Sequence, residues 1–503
     1  MRQLGAVPAE PGLVEYRVWA PNAREVTCRG RRLEPEDGGT FAARLEDEPG
    51  ADYSFELDGG SPLADPCSRW QPDGLRGLSR VLDPRAFEWT AEPVVVPLEQ
   101  LVIYELHVGT FTDEGTFEAA ARQLPRLAEL GVTAVEVMPV ATFPGERGWG
   151  YDGVFASAPH RAYGGPQGLA AFVDAAHRAG LAVLLDVVYN HVGPGSELLE
   201  AFGPYFTDRY DTFWGAAIDY AERGVREWAI QNAELWVRDY RIDGLRLDAT
   251  HAIFDESEPH IMRELADRVR AAHPGALVIA EMEVGNRRPI EEWGHDAQWA
   301  DELHHALHVL LTGEQEGYYA RYGKVADLAR AYEETPSERL VICSSNHDQV
   351  GNRALGDRLP PEVRRLAAAC VLFAPQVPLL FQGEEYGEQR PFQFFTDHDD
   401  PEIAKATREG RRNEFARFEA FSKEDVPDPQ ARETFEASKL HPEAGDEELR
   451  RFYADLIERR QALPRQVETA VDEEARILRV RRGNLELIAD FDNVSFELRP
   501  SDA

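Results

Sequence analysis

The 503-residue chain reads as an α/β protein: a (β/α)8 TIM barrel with an N-terminal immunoglobulin-like β-sandwich and a small C-terminal β-sheet. Three observations predict this fold. Residues 1 to about 95 hold short alternating runs bounded by turn residues. From Leu101 to Phe381, strands apolar on both faces alternate with segments of helical spacing. After residue 464, short alternating segments return. The expected domains are therefore 1–95, 96–464 and 465–503.

In the first region Val14-Glu-Tyr-Arg-Val-Trp19 alternates and stops at Ala20-Pro21-Asn22. Phe41–Leu45 and Tyr53–Leu57 are similar, with Gly and Asp between them. The period then changes. Leu101–Leu106 is a strand, and Phe117–Leu130 has helical spacing and ends at Gly131. Strands fit Val132–Met138, Ala182–Val188, Gly244–Asp248, Leu277–Ala280, Asp296–Trp299, Leu340–Ser345 and Val377–Phe381. Helices fit Pro166–Ala179, Val225–Tyr240 and Pro259–Ala272. Eight such strands suit a closed parallel barrel. A doubly wound open sheet is the alternative, but no Gly-rich dinucleotide turn follows the first strand. Asp397–Gly445 is charged and polar and reads as a surface excursion, partly helical. A helix at Glu447–Leu463 precedes the C-terminal strands Arg476–Val480 and Leu485–Phe491.

The formal charge is −36. Phosphate repulsion disfavours nucleic acid and anionic membrane as partners. A neutral substrate fits better. The basic charge is almost all arginine, with lysine only at Lys324, Lys405, Lys423 and Lys439. Cys28, Cys67, Cys343 and Cys370 show no paired spacing and read as reduced. The N-terminus lacks the apolar core of a signal peptide. The longest apolar run, Leu366–Phe381, is broken by Pro375 and Pro378 and is too short to span a bilayer. A cytoplasmic protein without cofactor is expected.

The chemistry lies where strands end. Arg246 and Asp248, two apart on one strand, point to one face. The arginine is expected to hold the aspartate ionised, as a covalent nucleophile requires. The bland alternative is a buried structural ion pair. Asp186 and His191 close the run from Leu184, and Glu281 closes Val278-Ile-Ala-Glu281. Asn346-His347-Asp348 closes the run from Ile342. Asp186 could instead be a structural partner of Arg246. Glu281 could be an exposed strand-end carboxylate. His191 and His347 could be core histidines or metal ligands, although no short ligand spacing recurs. Four strand ends in this order fit glycoside hydrolysis. A retaining glycosidase needs one ionised carboxylate and one protonated carboxyl about 5 Å apart. Asp248 suits the first role. Glu281, with no adjacent cation in sequence, suits the second. Asp348, His191 and His347 can bind sugar hydroxyls. Tyr151 and Trp214 can stack on sugar faces, or can simply pack.

These four segments resemble the signature regions of the α-amylase superfamily, glycoside hydrolase family 13. Asp186-Val-Val-Tyr-Asn-His191, Gly244-Leu-Arg-Leu-Asp-Ala249, Ala280-Glu281 and Asn346-His347-Asp348 match in order and spacing. The resemblance implies a retaining mechanism with Asp248 as nucleophile, Glu281 as acid/base and Asp348 as transition-state stabiliser. Within the superfamily the chain is similar to its trehalose-releasing branch. The similarity is carried by Trp149-Gly-Tyr-Asp-Gly153, Gln298-Trp299, His304–Gly313, Gly317-Tyr-Tyr319, Asn346–Arg353, Gly383–Gly387, Pro391–His398 and Gly410-Arg-Arg412. In the N-terminal region Trp19-Ala-Pro21 and Asp65-Pro-Cys-Ser68 add to it.

That branch cuts the α-1,4 bond next to the terminal trehalose of a maltooligosyltrehalose chain. It works in partnership with a synthase that makes this substrate. Asp152, Trp214, Glu283, Tyr318 and Glu384, with Tyr151, His191, Arg246 and His347, are the candidate substrate contacts. Two residues depart from the pattern: Arg241 stands in place of a histidine, and Met282 in place of a small or acidic residue. Both are expected to bear on subsites beyond the cleavage point. The enzyme alternative is a glycogen branching or debranching enzyme, against which the His304–Gly313 and Gly383–His398 runs argue. The non-enzyme alternative is an α-glucan-binding protein on a dead barrel, which usually lacks a catalytic carboxylate. All three carboxylates are present here.

Overall fold

The computed structural model describes residues 2–415 and 426–501. Eight parallel strands close into a barrel: β1 (Ile103–Leu106), β2 (Ala134–Val137), β3 (Ala182–Val187), β4 (Gly244–Leu247), β5 (Leu277–Ala280), β6 (Ala297–Trp299), β7 (Leu340–Cys343) and β8 (Val377–Phe381). β1 pairs with β8, so no strand edge is left open. All eight expected strands are present, most trimmed by one or two residues at their ends.

Side chains two apart on a strand share a face, and this builds the barrel interior in layers. The lower layer is apolar: Ile103, Ala134, Leu184, Ile279 and Leu379 belong to one buried cluster. Two residues further up the same strands stand Glu105, Glu136, Asp186 and Glu281, with Arg246 two residues above Gly244. The interior thus changes from hydrocarbon to charge within one layer. Val94, Val96 and Leu98 of the incoming segment pack against the lower layer.

The surrounding helices follow their apolar stripes. Gly165–Arg178, Arg223–Asp239 and Ile261–Ala272 lie within two residues of expectation. The expected helix Phe117–Leu130 is instead two pieces, Phe117–Ala121 and Leu124–Leu130. Pro125 has no N–H to donate to Ala121, which breaks the ladder there. The second piece ends at Gly131, with φ 96°, where an added Cβ would lie 2.8 Å from Ile457. Helices Glu302–Thr312, Val325–Tyr332 and Arg364–Phe373 complete the ring; the sequence pattern had not marked them. The excursion after Asp397 contains the helix Pro401–Phe415 and a short one at Arg432–Ala437. Its residues 416–425 lie outside those described.

In the N-terminal region Leu13–Trp19 pairs with Gly5–Glu10 and Thr40–Glu46, and Val26–Cys28 pairs with Arg31–Arg32 and Phe55–Leu57. The C-terminal sheet is a four-stranded antiparallel meander, Glu468–Asp472, Ile477–Arg482, Leu485–Asp490 and Ser495–Pro500. Its inner residues Leu478, Val480, Leu487 and Ala489 join a core with the helices at 302–312 and 364–373.

The N-terminal sheets join the barrel through Trp19. Its indole lies against Gly224, where an added Cβ would sit 2.1 Å from the ring. Gly224→Val should therefore lower stability by about 1–3 kcal/mol through overpacking. Denaturant unfolding at constant m-value would read this; an unchanged midpoint would place the ring elsewhere.

Candidate active site

The site is built on Arg246, fully buried at the top of β4. Its Nη1 donates to both oxygens of Asp186, at 3.0 and 2.8 Å, and to Asp248 Oδ1 at 2.8 Å. Its Nη2 donates to Glu281 Oε2 at 2.8 Å. The ring of Trp299 lies 4.2 Å from the guanidinium carbon. Burial works against the charge, but the surrounding carboxylates outweigh it and hold the guanidinium well above its ordinary pKa. Asp186 is thus the partner of Arg246. Burial pushes its carboxyl up to about 7, while the guanidinium pulls the other way.

Asp248 accepts a second hydrogen bond, from Asn190 Nδ2 at 2.8 Å. The Asn190 carboxamide oxygen lies 2.8 Å from His191 Nδ1. Burial lowers His191 to about 4, so the neutral ring donates its Nδ1 proton to Asn190. The chain turns sharply after the aspartate. Ala249 has φ 38°, a left-handed conformation strained for alanine, and its N–H donates to Glu281 Oε2 at 2.8 Å.

Glu281 has no adjacent cation in sequence, but in the fold Arg246, on the neighbouring strand, binds it. Sequence adjacency missed the contact because β4 and β5 are joined by a long crossover. The side chain remains 22% exposed, so one face of the carboxyl is open to the cleft.

Asp348 is the second residue of the short helix His347–Gly351, capped by the Asn346 side chain. It accepts from Asn352 Nδ2 at 3.0 Å and lies 3.4 Å from His347 Nε2. Burial raises its carboxyl and the His347 charge opposes that. Tyr151 donates to Asp186 Oδ2 at 2.6 Å, approaches His347 Nε2 at 2.8 Å and stacks on that ring at 5.1 Å. Trp214 lies between the strands Phe206–Thr212 and Gly215–Ile218, a hairpin not foreseen from sequence. Its indole stacks flat on His191, 4.3 Å away, and is 45% exposed. Asp152 lies near His191 and His398; burial raises its carboxyl and the two histidines oppose that.

The other candidates lie further out. Glu283 is exposed at the rim of a pocket of about 260 Å3, beyond Glu281, which Met282, Tyr210, Phe254 and Trp293 also line. Tyr318 is 84% exposed and stacks on His305. Glu384 is not brought to the carboxylates: its Oε1 accepts from Ser344 at 2.8 Å and from Tyr453 at 3.0 Å. Arg241 is also corrected. It precedes β4, at the opposite end of the barrel, where its guanidinium covers Trp89 at 4.7 Å and binds Ala91 O. It ties down the incoming segment and touches no subsite.

Sequence reasoning passed over Glu105, Glu136 and Asn190. Glu105 and Glu136 had a signal: each interrupts an otherwise apolar strand that is buried on both faces. Among the described residues no cluster suited to a metal ion is present.

The barrel and its strand-end carboxylates define a glycoside hydrolase of the α-amylase type, and the sequence model named Alpha amylase, catalytic domain, matches residues 84–214. The chain is 45% identical over 504 residues to malto-oligosyltrehalose trehalohydrolase of Deinococcus radiodurans, covering 92% of this chain and 83% of the relative. It is 42% identical over 485 residues to the protein of that name from Saccharolobus solfataricus, covering 88% and 84%. A crystal structure of a putative alpha amylase from Salmonella typhimurium superposes with a TM-score of 0.88, at 37% identity, over 97% of this chain and 93% of that one. The chain belongs to the malto-oligosyltrehalose trehalohydrolase family.

Proposed function

We propose that this chain hydrolyses the α-1,4-glucosidic bond adjacent to the terminal trehalose of maltooligosyltrehalose, with retention, releasing trehalose and a maltooligosaccharide. The observation that carries the mechanism is the single guanidinium shared by Asp248 and Glu281. Two carboxyls bonded to one fork lie close together, which favours the retaining spacing of about 5 Å over the wider inverting one. Asp248 attacks the anomeric carbon, steadied by Arg246 and Asn190. Glu281 protonates the leaving oxygen and then deprotonates the incoming water. Asp348 binds hydroxyls of the distorted ring. His191, His347 and Tyr151 line the same sugar, and Trp214 offers it an aromatic face.

The substrate assignment rests on the names of the relatives just described. Trehalose recognition would fall to the outer groups: Glu283, Tyr318 and the pocket beyond Glu281. Glu384, held by Ser344 and Tyr453, would act only through them. The synthase that makes maltooligosyltrehalose is the functional partner, and the cytoplasm the compartment. No described helix is long and apolar enough to cross a membrane. The sheets support three domains, 1–95, 96–464 and 465–503.

Product analysis tests this reading. The protein is incubated separately with maltooligosyltrehalose and with maltoheptaose. Free trehalose from the first with little attack on the second is expected. New branch points on a glucan would make it a branching enzyme, and no turnover of either would leave a glucan-binding barrel.

A further inference from the structure

Glu105, near the top of β1, is fully buried behind His347. It is committed to one partner. Its Oε1 lies 2.6 Å from His347 Nδ1, and its Oε2 accepts the backbone N–H of His347 at 2.9 Å. One carboxylate therefore grips both the ring and the main chain of a residue 242 positions away.

We propose that Glu105 is a positioning residue: it holds the His347 ring doubly protonated and so sets the direction of every hydrogen bond from β1 to Asp186.

The hydrogens available to each group fix these directions. A carboxylate has none to offer, so Nδ1 carries the hydrogen in the Glu105 contact. On the other side of the ring, Nε2 meets the Tyr151 hydroxyl, and that hydroxyl lies 2.6 Å from Asp186 Oδ2. Burial puts the Asp186 carboxyl at about 7, so at pH 8 it is ionised, and both of its oxygens, which face an Arg246 N–H, act as acceptors. The one hydroxyl hydrogen of Tyr151 is thereby spent on Asp186. Its oxygen can then only accept from His347, and Nε2 must also carry hydrogen. The order of donation is His347 to Glu105 at one end, and His347 to Tyr151 to Asp186 at the other.

The charges around the ring agree. Glu105 on β1 and Asp348 on the histidine's own helix face it as anions, at 2.6 and 3.4 Å. Arg246 on β4 is the opposing cation. Glu136 on β2 is buried with neither oxygen bonded, and burial raises its carboxyl well above the ordinary carboxylate range. His107 is neutral, since burial lowers it to about 4. Burial alone would depress His347 as well, but Asp348 and Glu105 outweigh it and carry the ring up to about 10.

The carboxylate cannot be replaced by its isostere without loss. Both of its partners are N–H donors, and a carboxamide offers one oxygen and one NH2. Glu105→Gln would set a donor against a donor and remove the counter-ion. His347 would lose its second proton. Tyr151 could then turn its hydroxyl to Nε2 and release Asp186. The effect on turnover rests on the function proposed above; the protonation of His347 does not.

The test uses the full chain labelled with 15N at histidine, the His347 signals being assigned with His347→Gln. At pH 8 the wild type should show both ring nitrogens protonated at His347. In Glu105→Gln the ring should be neutral at that pH. The alkaline limb of kcat/KM on maltooligosyltrehalose should then fall by at least about one pH unit. At pH 8 kcat/KM should fall by about 100-fold, with Glu105→Asp restoring much of it. A neutral His347 in the wild type at pH 8 would overturn the proposal, and this holds even if Glu105→Gln does not fold. An unchanged pH profile in a folded Glu105→Gln would overturn it too. A charged His347 in a protein inert toward maltooligosyltrehalose would sink the proposed function and leave the protonation assignment standing.

Discussion

Asp248→Ala should lower the kcat for trehalose release by at least about 10^4-fold, the scale on which removal of a covalent nucleophile acts. The loss should appear in kcat with little change in the binding of maltooligosaccharide, because the aromatic and hydroxyl-binding groups are untouched. The fold should persist. Arg246 keeps Asp186 and Glu281 as partners, so no uncompensated guanidinium is left in the barrel. Rate measurements beside thermal unfolding separate the two effects. Turnover within tenfold of wild type would remove Asp248 from the nucleophile position. A collapse of the unfolding transition would show that its role is to hold the barrel together.

Arg246→Met should have the largest effect on stability. The guanidinium balances Asp186, Asp248 and Glu281 at once, and breaking such a buried arrangement by removing one partner costs about 3–5 kcal/mol. The cost has a pH dependence whose sign follows from Asp186. Burial raises its folded pKa to about 7, above the ordinary carboxylate value, even with Arg246 in place. A raised group contributes stability fully below its unfolded pKa and loses it as pH rises through the folded value. Without the cation Asp186 rises further. The deficit of Arg246→Met against wild type should therefore be smallest near pH 4 and grow toward pH 8. Denaturant unfolding at several pH values measures it. A deficit that shrinks as pH rises would contradict the charge balance described here. Activity should vanish in either case, because Glu281 and Asp248 lose their shared anchor.

Much of the barrel was legible because its strands are short, apolar on both faces and evenly spaced. Such runs have few other places to go than the middle of a sheet covered by helices. Boundaries were less legible where a single residue intervened. Pro125 splits a continuous apolar pattern into two helices, since periodicity records side chains and not the missing backbone donor. The hairpin that carries Trp214 was invisible for a different reason. Its strands, Phe206–Thr212 and Gly215–Ile218, have no buried face of their own along most of their length, so there is little alternation to read.

The site divides in the same way. Arg246 and Asp248 are two residues apart on one strand, and their common face follows from the pleat alone. Asp186, Glu281 and Asp348 were legible as strand-end groups, because every strand of a parallel barrel delivers its C-terminal end to one rim. Arg241 misled because sequence proximity to β4 says nothing about which end of the strand it occupies in relation to the rim; it lies at the bottom, on Trp89.

The residues by themselves determined the eight-stranded barrel, the order of its strand-end groups and the pairing of Arg246 with Asp248, because these depend on period, spacing and strand direction. Only the closed barrel decided that Arg246 also holds Glu281 and Asp186, and that Glu105 meets His347. Those contacts join separate strands, and the register of β4 against β3 and β5, with the closure of β1 on β8, sets them. A guanidinium fork reaches only a few ångströms, so which carboxylates it can gather is settled by that register.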